Sequence, residues 1–189
     1  LLQTRNGKRT PQAAARIALD FFEQGVIAAE LARERTQGLD AQALALRIVA
    51  AAEDGQALTP MARAASATSG VVCGEIALDE ARVRERKAVG ASVVLVRRDA
   101  ETRDIAALNL ADGLLTRHGA RTSHAAVVAR QLGKVCLVGC ESLSIDERAR
   151  TVTIGKVVLH EGDIITLDGN EGVLYNGAAR VEEHVPHEL

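Results

Sequence analysis

Gly119-Ala-Arg-Thr-Ser-His-Ala-Ala-Val-Val-Ala-Arg-Gln-Leu-Gly133 is the stretch on which the reading of this chain turns. Its second half is a short helix by composition: Ala125, Ala126, Ala129 and Leu132 are good helix formers, and Gly133 is placed to end the helix in a left-handed turn. Thr122 or Ser123 can supply the N-cap oxygen, and Gly119 gives the chain freedom to turn in. His124 then falls on the first turn, where backbone N–H groups have no intrahelical acceptor. A helix start disfavours an imidazolium and attracts anions, and its orphan N–H groups and neighbouring hydroxyls can hydrogen-bond phosphate oxygens. Two readings follow from the residues alone. His124 is either a nucleophile beside an anion cradle, suited to accept a phosphoryl group, or an ordinary first-turn residue on a packing helix.

Outward from that segment, strand signals alternate with helix signals. Val71–Leu78 reads as a strand, Asp79–Gly90 as a charged helix, and Val93–Val96 as a continuous apolar strand of the kind buried on both faces. Asp104–Leu110 is a short helix, and Gly113–Thr116 is a strand that delivers the chain to His124. Strands are expected at Val135–Val138, Thr151–Ile154, Lys156–Leu159, Ile164–Leu167 and Val173–Tyr175. Gly155, Glu161-Gly162-Asp163 and Asp168-Gly-Asn-Glu-Gly172 divide the later ones as turns. Val181–Leu189, with His184 and His187, reads as a frayed tail.

Ahead of the strands the pattern is helical. Pro11 suits the first helical position after Thr10, and Gly25 suits the stop. A second run covers Val26–Arg35. Asp40 can cap a third helix through Leu44, Ala45, Ile48, Val49 and Ala52, because Leu44/Ile48 and Ala45/Val49 are each four apart. The expected division is a helical region over 1–60 and an α/β region over 61–189.

Composition narrows the function. Aromatic residues are 2% of the chain, so base-stacking platforms are excluded as a design, and a formal charge of -2 gives no pull toward nucleic acid or anionic membrane. No apolar run is long enough to span a bilayer. Three cysteines, an odd number, suit a reducing, cytoplasmic setting. Cys136 and Cys140 lack a second ligand pair and read as buried thiols; His118 and His160 read as loop histidines, and no metal site is expected. A chain that starts at Leu1 with its one methionine at Met61 is expected to be a piece of something longer or to lack its start.

Thr122-Ser123-His124-Ala125-Ala126-Val127-Val128-Ala129-Arg130, followed by Gly133-Lys134-Val135-Cys136-Leu137-Val138-Gly139-Cys140, resembles the phosphohistidine segment of the PEP-utilising enzymes, and within them the pyruvate, phosphate dikinases. Ser69-Gly-Val-Val-Cys-Gly74 resembles the opening of their swivelling domain, and Glu161–Gly177 resembles its later hairpins. Where that family usually has Gly-Gly-Met before Thr-Ser-His, this chain has Gly119-Ala120-Arg121, which restricts the loop and adds a cation.

The resemblance implies an α+β architecture, an N-terminal helical segment followed by a swivelling β/β/α phosphohistidine domain. It implies that His124 is the phosphocarrier, that Ser123 and Thr122 cradle phosphate, and that Thr122 matches a threonine modified by a regulatory kinase/phosphorylase. Gln3 and Arg5 match positions on the last strand of the nucleotide site. The partners implied are an ATP-grasp nucleotide-binding domain and a PEP/pyruvate-binding barrel, in cis or in trans. Magnesium is expected in those domains and no cofactor in this chain. The same motif also suits a PEP synthase-like enzyme, an antibiotic phosphotransferase, or a non-catalytic regulatory module of the same fold.

Overall fold

The computed structural model of the chain describes residues 9–52 and 58–185. It divides into two compact units, Leu1–Leu46 with Glu183–Leu189, and Arg47–Glu182. Residues 47–52, placed in the helical region by the sequence reading, thus fall in the second unit.

The first unit is helical. Thr10 caps α1 (Pro11–Glu23) by accepting from the Ala13 N–H at 3.2 Å, with Pro11 on the first turn. α2 (Ala29–Thr36) follows, then a single turn, α3 (Ala41–Leu44), capped by Asp40 through the Ala43 N–H at 2.7 Å. Gln12 ties α1 to α3 by donating to the carbonyls of Ala43 and Ala45. The third helix is much shorter than the apolar spacing suggests. From Leu46 the chain is a strand, β1 (Leu46–Ala52), and it pairs with β13 (Ala179–His184), so the expected frayed tail is ordered as a strand up to His184.

The second unit is built on β4 (Val71–Ala77), β5 (Val93–Arg97), β6 (Gly113–Thr116) and β7 (Val135–Val138), four parallel strands in chain order. The crossovers are α4 (Glu80–Ala88), α5 (Ile105–Leu110, entered by a 3-10 turn at Thr102–Asp104) and α6 (His124–Gln131). Period-two alternation sorts the side chains of these strands. Val93, Leu95, Leu114, Cys136 and Val138 pack with Val83, Leu108 and Ala129 on the helical side. Val94, Val96, Leu115 and Leu137 face the other way, onto Leu143, Val152, Ile154 and Leu159. Those last residues belong to a three-stranded antiparallel sheet of β8 (Leu143–Asp146), β9 (Thr151–Ile154) and β10 (Val157–His160). The layers are therefore sheet, sheet and helices, the expected β/β/α arrangement, and burial on both faces explains why Val93–Val96 is apolar without a break.

The central sheet has eight strands, in the order β2-β12-β11-β4-β5-β6-β7-β3. β11 (Ile164–Asp168) and β12 (Val173–Asn176) form a hairpin whose turn is held by Asp168, which accepts from the N–H of Asn170 at 2.9 Å. β2 (Pro60–Arg63) and β3 (Ala65–Thr68) were not expected from sequence. They are separated by Ala64 alone, yet they occupy opposite ends of the strand order. The sheet must therefore roll until its two edges meet at residue 64, where the Ala64 N–H donates to Gly172 at 3.0 Å. Close approach at this seam requires glycine: a Cβ on Gly169 would fall 2.2 Å from the Thr68 carbonyl oxygen.

Arginine–carboxylate pairs tie elements of this unit together. Arg86 on α4 grips Glu75 on β4 with two bonds, at 2.6 and 2.9 Å. Arg150 bridges Glu161 and Asp79, and Glu161 also accepts the Leu78 N–H at 2.9 Å.

Candidate functional site

Ser123, not Thr122, is the N-cap of α6. Its backbone is extended and its hydroxyl accepts from the Ala126 N–H at 3.4 Å. His124 is the first helical residue and is solvent-exposed, while Ala125, Ala126 and Ala129 are buried against the sheet. The small apolar residues thus fix the helix while the imidazole stays reachable. Below it lies a shallow hollow lined by Ala100, Glu101, Asp104, Ile105 and Leu108 from the loop and helix after β5.

The loop from Arg117 to Ser123 is held by several backbone contacts. Thr116, buried at the end of β6, donates its hydroxyl to the His118 oxygen at 2.6 Å. The Gly119 oxygen abuts Gly139, whose φ of 69° and missing Cβ allow the approach. The Ala120 oxygen accepts the Ser123 N–H at 2.8 Å, and the Arg121 oxygen accepts from Arg130 Nη2 at 3.3 Å. In contrast, the backbone N–H groups of Ala120, Arg121, Thr122, His124 and Ala125 find no acceptor among the described residues. Unoccupied N–H groups at a helix start can hydrogen-bond an anion.

Two arginines near the loop are unpaired among the described residues, while Glu101 and Asp104 line the hollow below His124. Arg98 and Arg121 form no ion pair with any described residue, and His118, exposed, donates its backbone N–H to the Arg98 carbonyl at 2.9 Å. Arg117 is committed to the Leu143 carbonyl at 2.9 Å, and Arg97 lies 3.3 Å from Asp104 and 3.6 Å from Glu147.

Of the residues singled out in the sequence, Thr122, Ser123 and His124 stand together at this helix start. Gln3 and Arg5 lie outside the described residues. Cys136 and Cys140 are buried, and burial pushes the Cys136 thiol up to about 12 and the Cys140 thiol upward as well. Neither is poised as a thiolate ligand. No group of three His, Cys, Asp or Glu residues that could hold a metal ion occurs among the described residues, and no described helix is long and apolar enough to cross a membrane. Sequence reasoning missed Thr116, Arg130 and Gly139 as builders of the loop. Only Gly139 left a local signal, as an isolated glycine at the end of a strand.

Comparison with known proteins gives this arrangement a class. The model of the PEP-utilising enzyme mobile domain matches residues 89–172, which include β5 to β7, α6 and the whole of the His124 loop. Residues 89–172 are thus similar to that mobile domain. Within that class the whole chain is similar to pyruvate, phosphate dikinases: 37% identical over 183 residues to that of Entamoeba histolytica, 39% over 186 to that of Clostridium symbiosum, and 35% over 177 to that of Rhizobium meliloti. These alignments take in 97%, 96% and 94% of this chain but 20%, 21% and 19% of the three relatives. The chain therefore spans about a fifth of the length of the curated relatives it matches.

Proposed function

We propose that this chain is the phosphoryl-carrying segment of a pyruvate, phosphate dikinase-like enzyme, with His124 as the carrier. The observation that supports it is the exposed imidazole on the first turn of α6, beside peptide N–H groups that have no acceptor among the described residues. In the first half-reaction a ring nitrogen of His124 uses its lone pair to attack phosphorus. A P–N bond forms at the β-phosphorus of ATP as the P–O bond to AMP breaks, and inorganic phosphate then takes the terminal phosphoryl group as diphosphate, leaving one phosphoryl group on the ring. In the second, the enolate oxygen of pyruvate attacks the same phosphorus, and the P–N bond breaks to give PEP and regenerate the imidazole. The unoccupied N–H groups of the loop stabilise the equatorial oxygens in both steps, and Thr122 and Ser123 frame the same space.

The donor and acceptor sites belong, on this reading, to an ATP-grasp domain and a PEP/pyruvate barrel in cis, as parts of the longer protein that the relatives represent. Magnesium belongs to those domains. Gln3 and Arg5 belong to the nucleotide site, and Thr122 is the target of a regulatory kinase/phosphorylase. The chain alone turns over no ATP, and it works in the cytoplasm, where free thiols persist.

The test is phosphoryl transfer from a matching ATP-binding domain with labelled nucleotide. Acid-labile, base-stable label should appear on the chain and vanish in His124→Ala. Label that persists in that variant refutes the assignment.

A further inference from the structure

We infer that Arg130 is a positioning residue for His124, a guanidinium bracket that sets the geometry of the loop in front of it. The inference rests on the carrier reading for its reaction but on separate contacts for its geometry. β3 pairs with β7 through Ala65, Ser66 and Thr68, and the register slips between Ser66 and Thr68. Ala67 is the bulged residue, so its carbonyl is released from the ladder. Arg130, in the last turn of α6, takes that carbonyl with both Nε at 3.2 Å and Nη2 at 3.1 Å. The same Nη2 reaches the carbonyl of Arg121 at 3.3 Å. One planar group therefore joins a fixed point on the sheet to the peptide three residues before the imidazole.

Arg130 forms no ion pair with any described residue, so its hydrogen-bonding capacity is directed to these two carbonyls. Holding the Arg121 carbonyl fixes the orientation of the Arg121–Thr122 peptide, and with it the Thr122 N–H. Lysine cannot reproduce this, because a single ammonium lacks the fork that serves both oxygens in fixed directions. Misplacing reacting groups by about 1 Å costs up to roughly a hundredfold in rate.

The test uses the full chain and phosphoramidate, a small phosphoryl donor that requires no partner domain. Arg130→Met should lower the maximal rate of His124 phosphorylation about tenfold without moving the half-saturating donor concentration, and Arg130→Lys should restore part of it. Amide hydrogen exchange at Leu95 and Leu115 should stay as in the parent chain, while the amide resonances of Arg121, Thr122 and Ser123 shift. A methionine variant phosphorylated at the parent rate overturns the inference. So do loop resonances that do not move, or core protection lost in step with the rate. If the parent chain takes no phosphoryl group on His124, the carrier reading falls, and the loop resonances still decide whether Arg130 fixes the loop.

Discussion

Gly139 presses against Gly119: a Cβ built on Gly139 would lie 3.0 Å from the Gly119 carbonyl oxygen. The two glycines come from different loops, one after β7 and one before α6, and their contact seats the His124 loop on the end of the sheet.

Gly139→Ala should therefore be costly twice over. The residue sits at φ 69°, where an L side chain loses about 1–2 kcal/mol, and the added methyl displaces the Gly119 peptide. For a chain of this size the expected fall in Tm is about 2–8 °C. Calorimetry with His124 labelling on the same samples checks both effects. An alanine variant with the parent Tm and the parent labelling rate would show that the seat is unimportant.

Thr122→Asp should stop phosphoryl transfer without unfolding the chain. Residue 122 is exposed, and a carboxylate there repels an incoming phosphoryl group across the same short loop. Labelling should drop at least tenfold while the Tm stays within about 2 °C, since exposed substitutions are usually worth no more than about ±0.5 kcal/mol. Normal labelling of the aspartate variant would refute the repulsion.

The Glu75–Arg86 clamp predicts a particular acid response. The two-pronged Arg86 hydrogen bond holds the Glu75 carboxyl below the ordinary carboxylate range, against burial and with help from the Arg86 and Arg82 charges. A carboxyl depressed in the folded state adds stability above its unfolded value, roughly 4.3, and that stability is lost as pH falls through the folded value. Glu75→Gln should lower the urea midpoint at pH 7, and the gap to the parent chain should narrow at pH 3. A gap of equal size at both pH values would rule out the charge as its source.

Thiol reactivity separates the three cysteines. Cys73 is half-buried, whereas Cys136 and Cys140 are buried with thiols raised by burial. Iodoacetamide at pH 8 should modify Cys73 first in the folded chain, and the other two only after denaturation. Peptide mass spectrometry reads this directly, and early modification of Cys136 would contradict the packing.

The parallel core and the helix at His124 were legible because local and tertiary preferences agree there. Ser123 caps, the alanines face inward, Gly133 ends the helix at φ 66°, and Val93–Val96 is apolar on both faces. Residues 46–52 were misread because an Ala-rich apolar run places Leu44/Ile48 and Ala45/Val49 at helical spacing; pairing with the distant β13 decides the strand. Pro60–Thr68 carries few β-branched residues and becomes strand by pairing with β12 and β7. The bracket made by Arg130 was invisible for the same reason: its acceptors are main-chain oxygens, and one of them exists only because of a bulge.

Ala62 pairs with Leu174, more than a hundred residues later in the chain, whereas the strands flanking α6 are near neighbours in sequence. The pairing of the strands on either side of α6 is local in the chain, whereas the rolled sheet must wait for its last hairpin. A polypeptide cut short before Val173 would carry the whole His124 loop on an unsealed sheet, with Met61 and its neighbours left uncovered for a chaperone or another nascent chain to find.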